Sequence, residues 1–233
     1  MILELAQVEI HRRTGQGCVQ ENGFCPDWIR DNFDRYLDPF WEHVYLVLIS
    51  VGIGFAIAFT LALVAHRQRW LTGPIIGLTG ALYTVPSIAA FLLLLPITGR
   101  GNTTAIVALV SYTLLIIFRN VTTGLQNVPE EALDAGRGMG LTDNQLLWRV
   151  ELPLAVPEIL AGLRIATTTT VGLATLAFFA GAGGLGREIY ADINFKSNVV
   201  TAGGLAVLLA AACDLIILIV QALLTPWRRA AAT

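Results

Sequence analysis

Five runs of apolar residues, separated by short turns and one long polar insert, organise this chain: Val44 to Val64, Ile75 to Leu95, Thr103 to Phe118, Leu163 to Gly181 and Val199 to Leu224. Each comes near the roughly 20 residues that a helix needs to cross a hydrocarbon core, which predicts an all-α protein with about five transmembrane helices. The third run is short and the fourth is rich in Thr and Gly. Pro86 sits inside the second run and predicts a kink, where the freed carbonyl is met by neighbours or by water lining a path. Gly73 and Gly77 are spaced for close helix packing. Ahead of the first run, Ile29, Phe33, Tyr36, Leu37 and Phe40 recur at helical spacing within Asp27 to Glu42, the pattern of an amphipathic helix lying at the interface, with Trp28 and Trp41 at headgroup depth. Such a segment either meets a soluble extracytoplasmic partner or anchors the first span, and its residues do not separate the two.

Composition supports the membrane reading. Of 233 residues 55% are hydrophobic and only 14% charged, against about 25% charged in soluble domains, and mean hydropathy is +0.66. The net charge of −2 says nothing about nucleic acid, but no basic patch is present, so no nucleic-acid partner is expected. Met1 to Ile10 holds Glu4 and Glu9 and builds no apolar core, so no cleavable signal is expected and the first span is its own insertion signal. Arg67, Arg69, Arg119, Arg137, Arg149, Arg228 and Arg229 flank one set of span ends and Arg100, Arg187 and Lys196 the other, seven against three. By the positive-inside rule the polar insert and the C-terminus face the cytoplasm and the N-terminus lies outside the cell membrane. The expected organisation is an extracytoplasmic tail over 1–43, a membrane domain over 44–225 and a cytoplasmic tail over 226–233. Cys18 and Cys25 fall in the outer tail, where a disulfide is permitted, while Cys213 fills space in an apolar run.

The insert, 119–155, reads as two short helices at an angle. Pro129 suits a first turn and Glu130 and Glu131 complement the positive end of the helix dipole, with Gly138 and Gly140 closing the helix. Thr142 and Gln145 form a capping box that opens a second helix through Trp148 and Val150, which Leu152-Pro153 is expected to stop. Such a hairpin is either a handle for a soluble partner or an ordinary loop.

Here the chain resembles the permease subunits of ATP-binding-cassette importers. Their cytoplasmic signature runs Glu-Ala-Ala, three residues, Gly, nine residues, Ile, one residue, Leu-Pro. In this sequence Asp134, Ala135 and Gly136, then Gly140, then Val150, Leu152 and Pro153 hold the same register without a gap, with Arg137 inside it; Asp for Glu, Gly for Ala and Val for Ile are departures. The similarity extends from Thr84-Val85-Pro86-Ser87 to Gly181-Ala182-Gly183-Gly184-Leu185-Gly186 and is greatest to the osmoprotectant (glycine betaine, carnitine, choline) permeases; the first forty residues lack it. The resemblance implies a type I importer permease fold whose loop helix seats in a cytosolic ATPase. Closure of two ATPases around ATP then rocks a permease pair between inward-open and outward-open states. It also implies a second permease, identical or different, and an extracytoplasmic solute-binding protein, with ATP and Mg held by the ATPase and no cofactor or metal in this chain. Gly136 in place of Ala shortens a contact side chain and loosens the helix by up to about 1 kcal/mol.

Other constellations are incomplete. Gly181-x-Gly183-x-x-Gly186 matches a dinucleotide fingerprint but comes after an apolar helix instead of a strand, and no phosphate loop, His-Glu-x-x-His or Gly-x-Ser-x-Gly is present, so no enzyme is expected. Asp214 is the one acid deep in a span. It is either the coupling residue of a small proton-driven transporter, the alternative function, or a structural hydrogen-bond partner. Pro86, Thr167, Thr170 and Asp214 are the candidate pathway or gating residues, and Arg164 is expected to snorkel to the interface or to pair with the loop.

Overall fold

The computed structural model describes residues 16–226, within which every regular element is helical. His11, Arg12, Arg13, Arg228, Arg229 and the Met1 to Ile10 stretch lie outside the described residues. In chain order the elements are α1 (Gln16–Gln20), α2 (Pro26–Asp31), a 3-10 turn (Phe33–Tyr36), α3 (Leu37–Arg67), a 3-10 turn (Arg69–Leu71), α4 (Thr72–Thr84), α5 (Ser87–Thr98) and α6 (Asn102–Gln126). Next come α7 (Glu130–Gly138), α8 (Asp143–Leu146), a π turn (Leu147–Glu151), α9 (Leu152–Ala174), a 3-10 turn (Ala177–Ala180), α10 (Leu185–Ala191) and α11 (Lys196–Leu224).

Among the described residues three helices are long and apolar enough to cross a membrane, Phe33–Arg67, Asn102–Gln126 and Lys196–Leu224, and α4 with α5 makes a fourth candidate bent by 98°. The five expected runs correspond to α3, α4 with α5, α6, α9 and α11. Two differ from expectation. The second run is broken outright: Val85, next to the proline, takes extended backbone (φ −62, ψ 128) because the Pro86 ring disfavours the helical region there, and Pro86 begins a new helix. Tyr112 Oη donates to the Val85 carbonyl at 2.5 Å and so satisfies an acceptor freed by the break. The fourth run is shifted, since α9 starts at Leu152 and ends at Ala174. Glu158 and Arg164 hide its first half from an apolar count, and the glycines after it form turns.

The core lies where α3, α6 and α9 meet. One cluster joins Leu46, Val47 and Val51 of α3 to Phe91, Leu109 and Val171; the other joins Ala58, Ala62 and Ala65 to Ile117, Phe118, Leu152 and Ile159. Small residues set the spacing: a Cβ on Gly54 would run into Thr113, one on Gly162 into Asn120, and one on Gly124 would stand 3.0 Å from Glu158 Cβ. Gly73 and Gly77, by contrast, face open space and make no close packing within the chain.

The segment before the first span is not one interfacial helix. Asn32 leaves helical geometry (φ −118, ψ 16) between α2 and the 3-10 turn, and from Leu37 the chain runs without a break into α3, so position 43 lies inside a helix and not at a boundary. Cys18 and Cys25 are joined in a disulfide. The stretch is clamped to the start of α11: Cys25 N–H donates to Ser197 Oγ (2.6 Å), Ser197 Oγ to the Gly23 carbonyl (3.1 Å), and Tyr36 Oη to Asn198 Oδ1 (2.8 Å). Trp28 packs edge-on against Phe195 with centroids 4.6 Å apart, a tertiary contact and not a headgroup position, while Trp41 is exposed.

Candidate functional site: the polar loop between α6 and α9

α6 continues to Gln126, eight residues past the expected span, so the loop proper begins at Asn127. Pro129, with extended backbone (φ −58, ψ 135), caps α7, whose first turn holds Glu130 and Glu131 and whose last turn holds Arg137, each sign matched to the helix dipole. Gly140 (φ 78) supplies the left-handed turn that ends the helix; its N–H donates to the Arg137 carbonyl at 2.9 Å and the Leu141 N–H to the Gly136 carbonyl at 3.2 Å. The expected capping box is present: Gln145 N–H donates to Thr142 Oγ1 (3.4 Å) and Thr142 N–H to Gln145 Oε1 (2.9 Å).

Two expectations about this loop are corrected. Leu152-Pro153 does not stop the second helix: α8 passes through the π turn directly into α9, and Pro153 occupies the first turn of α9, where a missing N–H costs little. Gly136 does not lack an outward contact, because it faces inward. It is the buried residue of α7, and a Cβ there would stand 2.5 Å from Leu146 Cδ1. The exposed face of α7 carries Glu130, Glu131, Asp134, Ala135, Arg137 and, just beyond, Met139 at 74% exposure. Asp134 and Arg137 pair along this face at 3.3 Å. Val150 is half-buried and its Cγ2 faces the Gly136 site, while Leu152 joins the inner core.

Behind the loop lies a contact that the sequence did not reveal. Glu151, 8% exposed at the end of the π turn, sets Oε2 2.6 Å from Nε2 of His66 in the last turn of α3. One residue further along, Arg67 Nη2 donates to Asn144 Oδ1 of α8 at 2.5 Å. Two cavities, of about 560 and 530 Å³, flank this junction, and His66, Arg137 and Glu151 border both. No spacing rule joins positions 66 and 151.

The remaining candidates are scattered. Pro86 marks the break between α4 and α5. Thr167 (4% exposed) and Thr170 (1%) point into the packed interior and donate to the Leu163 and Ala166 carbonyls of their own helix, both at 2.7 Å, so neither lines an open path within the chain. Asp214 is not a lone acid. Arg164, midway along α9 instead of near one of its ends, donates to it through Nε (2.8 Å) and Nη2 (2.9 Å). The glycine run has a packing cause. A Cβ on Gly183 would run into the Glu42 carboxylate, which accepts from Gly184 N–H at 2.9 Å; one on Gly186 would run into the Thr175 main chain; and Gly181 and Gly184 hold φ of 83 and 91.

Residues 50–230 match the family described as binding-protein-dependent transport system inner membrane component. The chain is 37% identical over 201 residues, 85% of its length and 93% of the relative's, to the choline transport system permease protein OpuBB of Bacillus subtilis. It is equally identical, over the same share of each chain, to the glycine betaine/carnitine/choline transport system permease protein OpuCB of that organism. Its fold is similar to that of an inward-facing methionine ABC transporter, MetNI, with a TM-score of 0.70 at 24% identity over 79% of this chain and 94% of that one. The match at 50–230 leaves out the clamped segment ahead of α3.

Proposed function

Because the chain belongs to the family of binding-protein-dependent transport system inner membrane components, we propose that it carries small osmoprotectant solutes such as glycine betaine, choline or carnitine, the compounds named for its relatives. As a member of that family it is a membrane-embedded permease subunit and not an enzyme, and it works with a solute-binding protein and an ATPase. In the proposed assembly two permeases, identical or different, stand over two ATPases that hold ATP and Mg, with the binding protein on the outer side. The loop over 127–146 and the C-terminus face the cytoplasm and the N-terminus faces outward, as the distribution of Arg and Lys favours.

One observation supports the loop as the coupling element: α7 turns Glu130, Glu131, Asp134, Ala135 and Arg137 outward while Gly136 fastens its rear to Leu146. A short helix braced from behind and polar in front moves as a unit with whatever grips it. ATPase closure then favours one of two arrangements of the permease pair by its differential contacts with α7. The proton-driven alternative has no support, since its residue Asp214 is held by Arg164.

The test is to purify tagged chain gently from its own membrane and identify what accompanies it by mass spectrometry, beside a form in which 134–140 is a neutral linker. A soluble ATPase recovered with the intact chain and lost from the altered one is the expected result. A chain that arrives alone both times ends the coupling assignment. Uptake of radiolabelled glycine betaine, choline and carnitine by vesicles holding the recovered complex tests the solute class, and ATP-dependent uptake of none of the three overturns it.

A further inference from the structure

We infer that His66 and Glu151 form the joint through which movement of the coupling helix reaches α3, the first long span; this rests on the coupling role proposed above. The loop is continuous with only two long helices, α6 before it and α9 after it. α3 belongs to neither connection, yet it forms one wall of both core clusters. Two polar links tie α3 to the loop region at its inner end, His66 Nε2 to Glu151 Oε2 at 2.6 Å and Arg67 Nη2 to Asn144 Oδ1 at 2.5 Å. The first is the more buried, and a buried polar side chain left without a hydrogen-bond partner is costly, so Glu151 is bound to His66 by the cost of leaving it alone.

The backbone is shaped for this contact. The π turn over Leu147–Glu151 accommodates one residue more than an α-helical turn, which rotates the start of α9 by about 100°. A helix that ran regularly from Thr142 into α9 would direct position 151 elsewhere. The cost of that irregular turn falls at the one place where the loop, α9 and α3 meet. A cavity borders the pair on two sides, which leaves α8 and the end of α3 room to shift together while the pair holds. Arg67, Arg69, Arg137 and Asp143 are the other charged groups bordering these cavities; Arg137, on α7, borders both. His66 and Glu151 are thus positioning residues: they touch no solute and act on the path through α3.

The experiment uses the copurified importer in proteoliposomes with its binding protein and glycine betaine, choline and carnitine as probes, and reads ATP hydrolysed per solute taken up. The variants are His66→Leu, Glu151→Leu, the double variant, and His66→Arg. The expected result is that each single Leu variant keeps its ATPase through purification but hydrolyses at least about fivefold more ATP per solute, the lower end of typical coupling between sites. The double variant, which leaves neither polar partner stranded and puts two apolar side chains in contact, should recover part of the loss, and His66→Arg, which preserves a donor for Glu151, should stay near the unsubstituted importer. His66 is partly exposed, so its Leu variant tests the joint even where Glu151→Leu fails to fold. Unchanged ATP per solute in His66→Leu overturns the joint, as does loss of the ATPase from that variant, which would make the pair part of the dock. If the unsubstituted chain brings down no ATPase, the coupling reading itself has failed and the joint goes with it.

Discussion

Arg164 and Asp214 lie side by side in a two-point ion pair, Nε to Oδ1 at 2.8 Å and Nη2 to Oδ2 at 2.9 Å, linking the middle of α9 to α11. Each satisfies the other's charge within segments that otherwise face apolar surroundings, which makes the pair a fastener between two helices. Asp214→Leu strands a guanidinium and should sharply reduce the amount of folded chain recovered from membranes. Arg164→Leu with Asp214→Leu removes both charges and should restore recovery, since an apolar pair replaces a half-buried ion pair at little cost where neither partner is left stranded. Size-exclusion profiles of a fluorescent fusion measure this directly. ATP-driven uptake should return with the double variant, and folded but inactive protein would hand Asp214 back to the transport path.

Gly172 and Gly186 make opposite demands on the same substitution. Gly172 is exposed on α9 with nothing within 4 Å of an added Cβ, whereas a Cβ on Gly186 would strike the carbonyl group of Thr175, main-chain atoms that cannot rotate away. Gly172→Ala should therefore raise the melting temperature, since Ala in a helix interior is favoured over Gly by about 1 kcal/mol. Gly186→Ala should lower it, with overpacking costs of about 1–3 kcal/mol. Thermal unfolding of the detergent-solubilised chain followed by intrinsic fluorescence decides. Equal shifts for the two would mean that the turn after α9 is looser than its packing implies.

The features that the residues declared in advance were local. The Thr142 capping box, the Gly140 turn and the dipole-matched charges of α7 each depend on hydrogen bonds spanning a few positions, and each is found as read. The apolar runs located the long helices but misjudged α9, because Glu158 and Arg164 lower its hydropathy although tertiary partners receive them. Pro86 announced a disturbance without its size, since the ring rules out a regular helix through Val85 but the 98° turn also needs neighbours such as Tyr112 to meet the freed carbonyl. Pairs far apart in sequence, His66 with Glu151, Arg164 with Asp214 and Tyr36 with Asn198, left no local trace. The glycines at 183 and 186 were visible, yet their cause, Glu42 and the Thr175 carbonyl, emerges only once the turn after α9 has folded against α3 and α9.

Ala135 and Gly136 are neighbours on α7, about 100° apart around its axis, one on the exposed side and one on the packed side, and this separates docking from folding within one loop. Ala135 is exposed, while Gly136 is buried with Leu146 Cδ1 2.5 Å from where a Cβ would be. Ala135→Arg adds bulk only to the outer face. It should leave the melting temperature within about 0.5 kcal/mol of unchanged stability, as surface substitutions do, while the ATPase no longer copurifies. Gly136→Ala, the residue the importer signature would favour, should do the reverse of what that signature suggests. Leu146 must move for the new methyl, the packing of α7 on α8 loosens, and melting falls by an amount in the overpacking range of about 1–3 kcal/mol. Leu146→Val in the Gly136→Ala background shortens the obstructing side chain and should recover part of the loss. Were Gly136→Ala to bind the ATPase more tightly at undiminished stability, the inward orientation of position 136 would be wrong and its methyl would belong to the docking face.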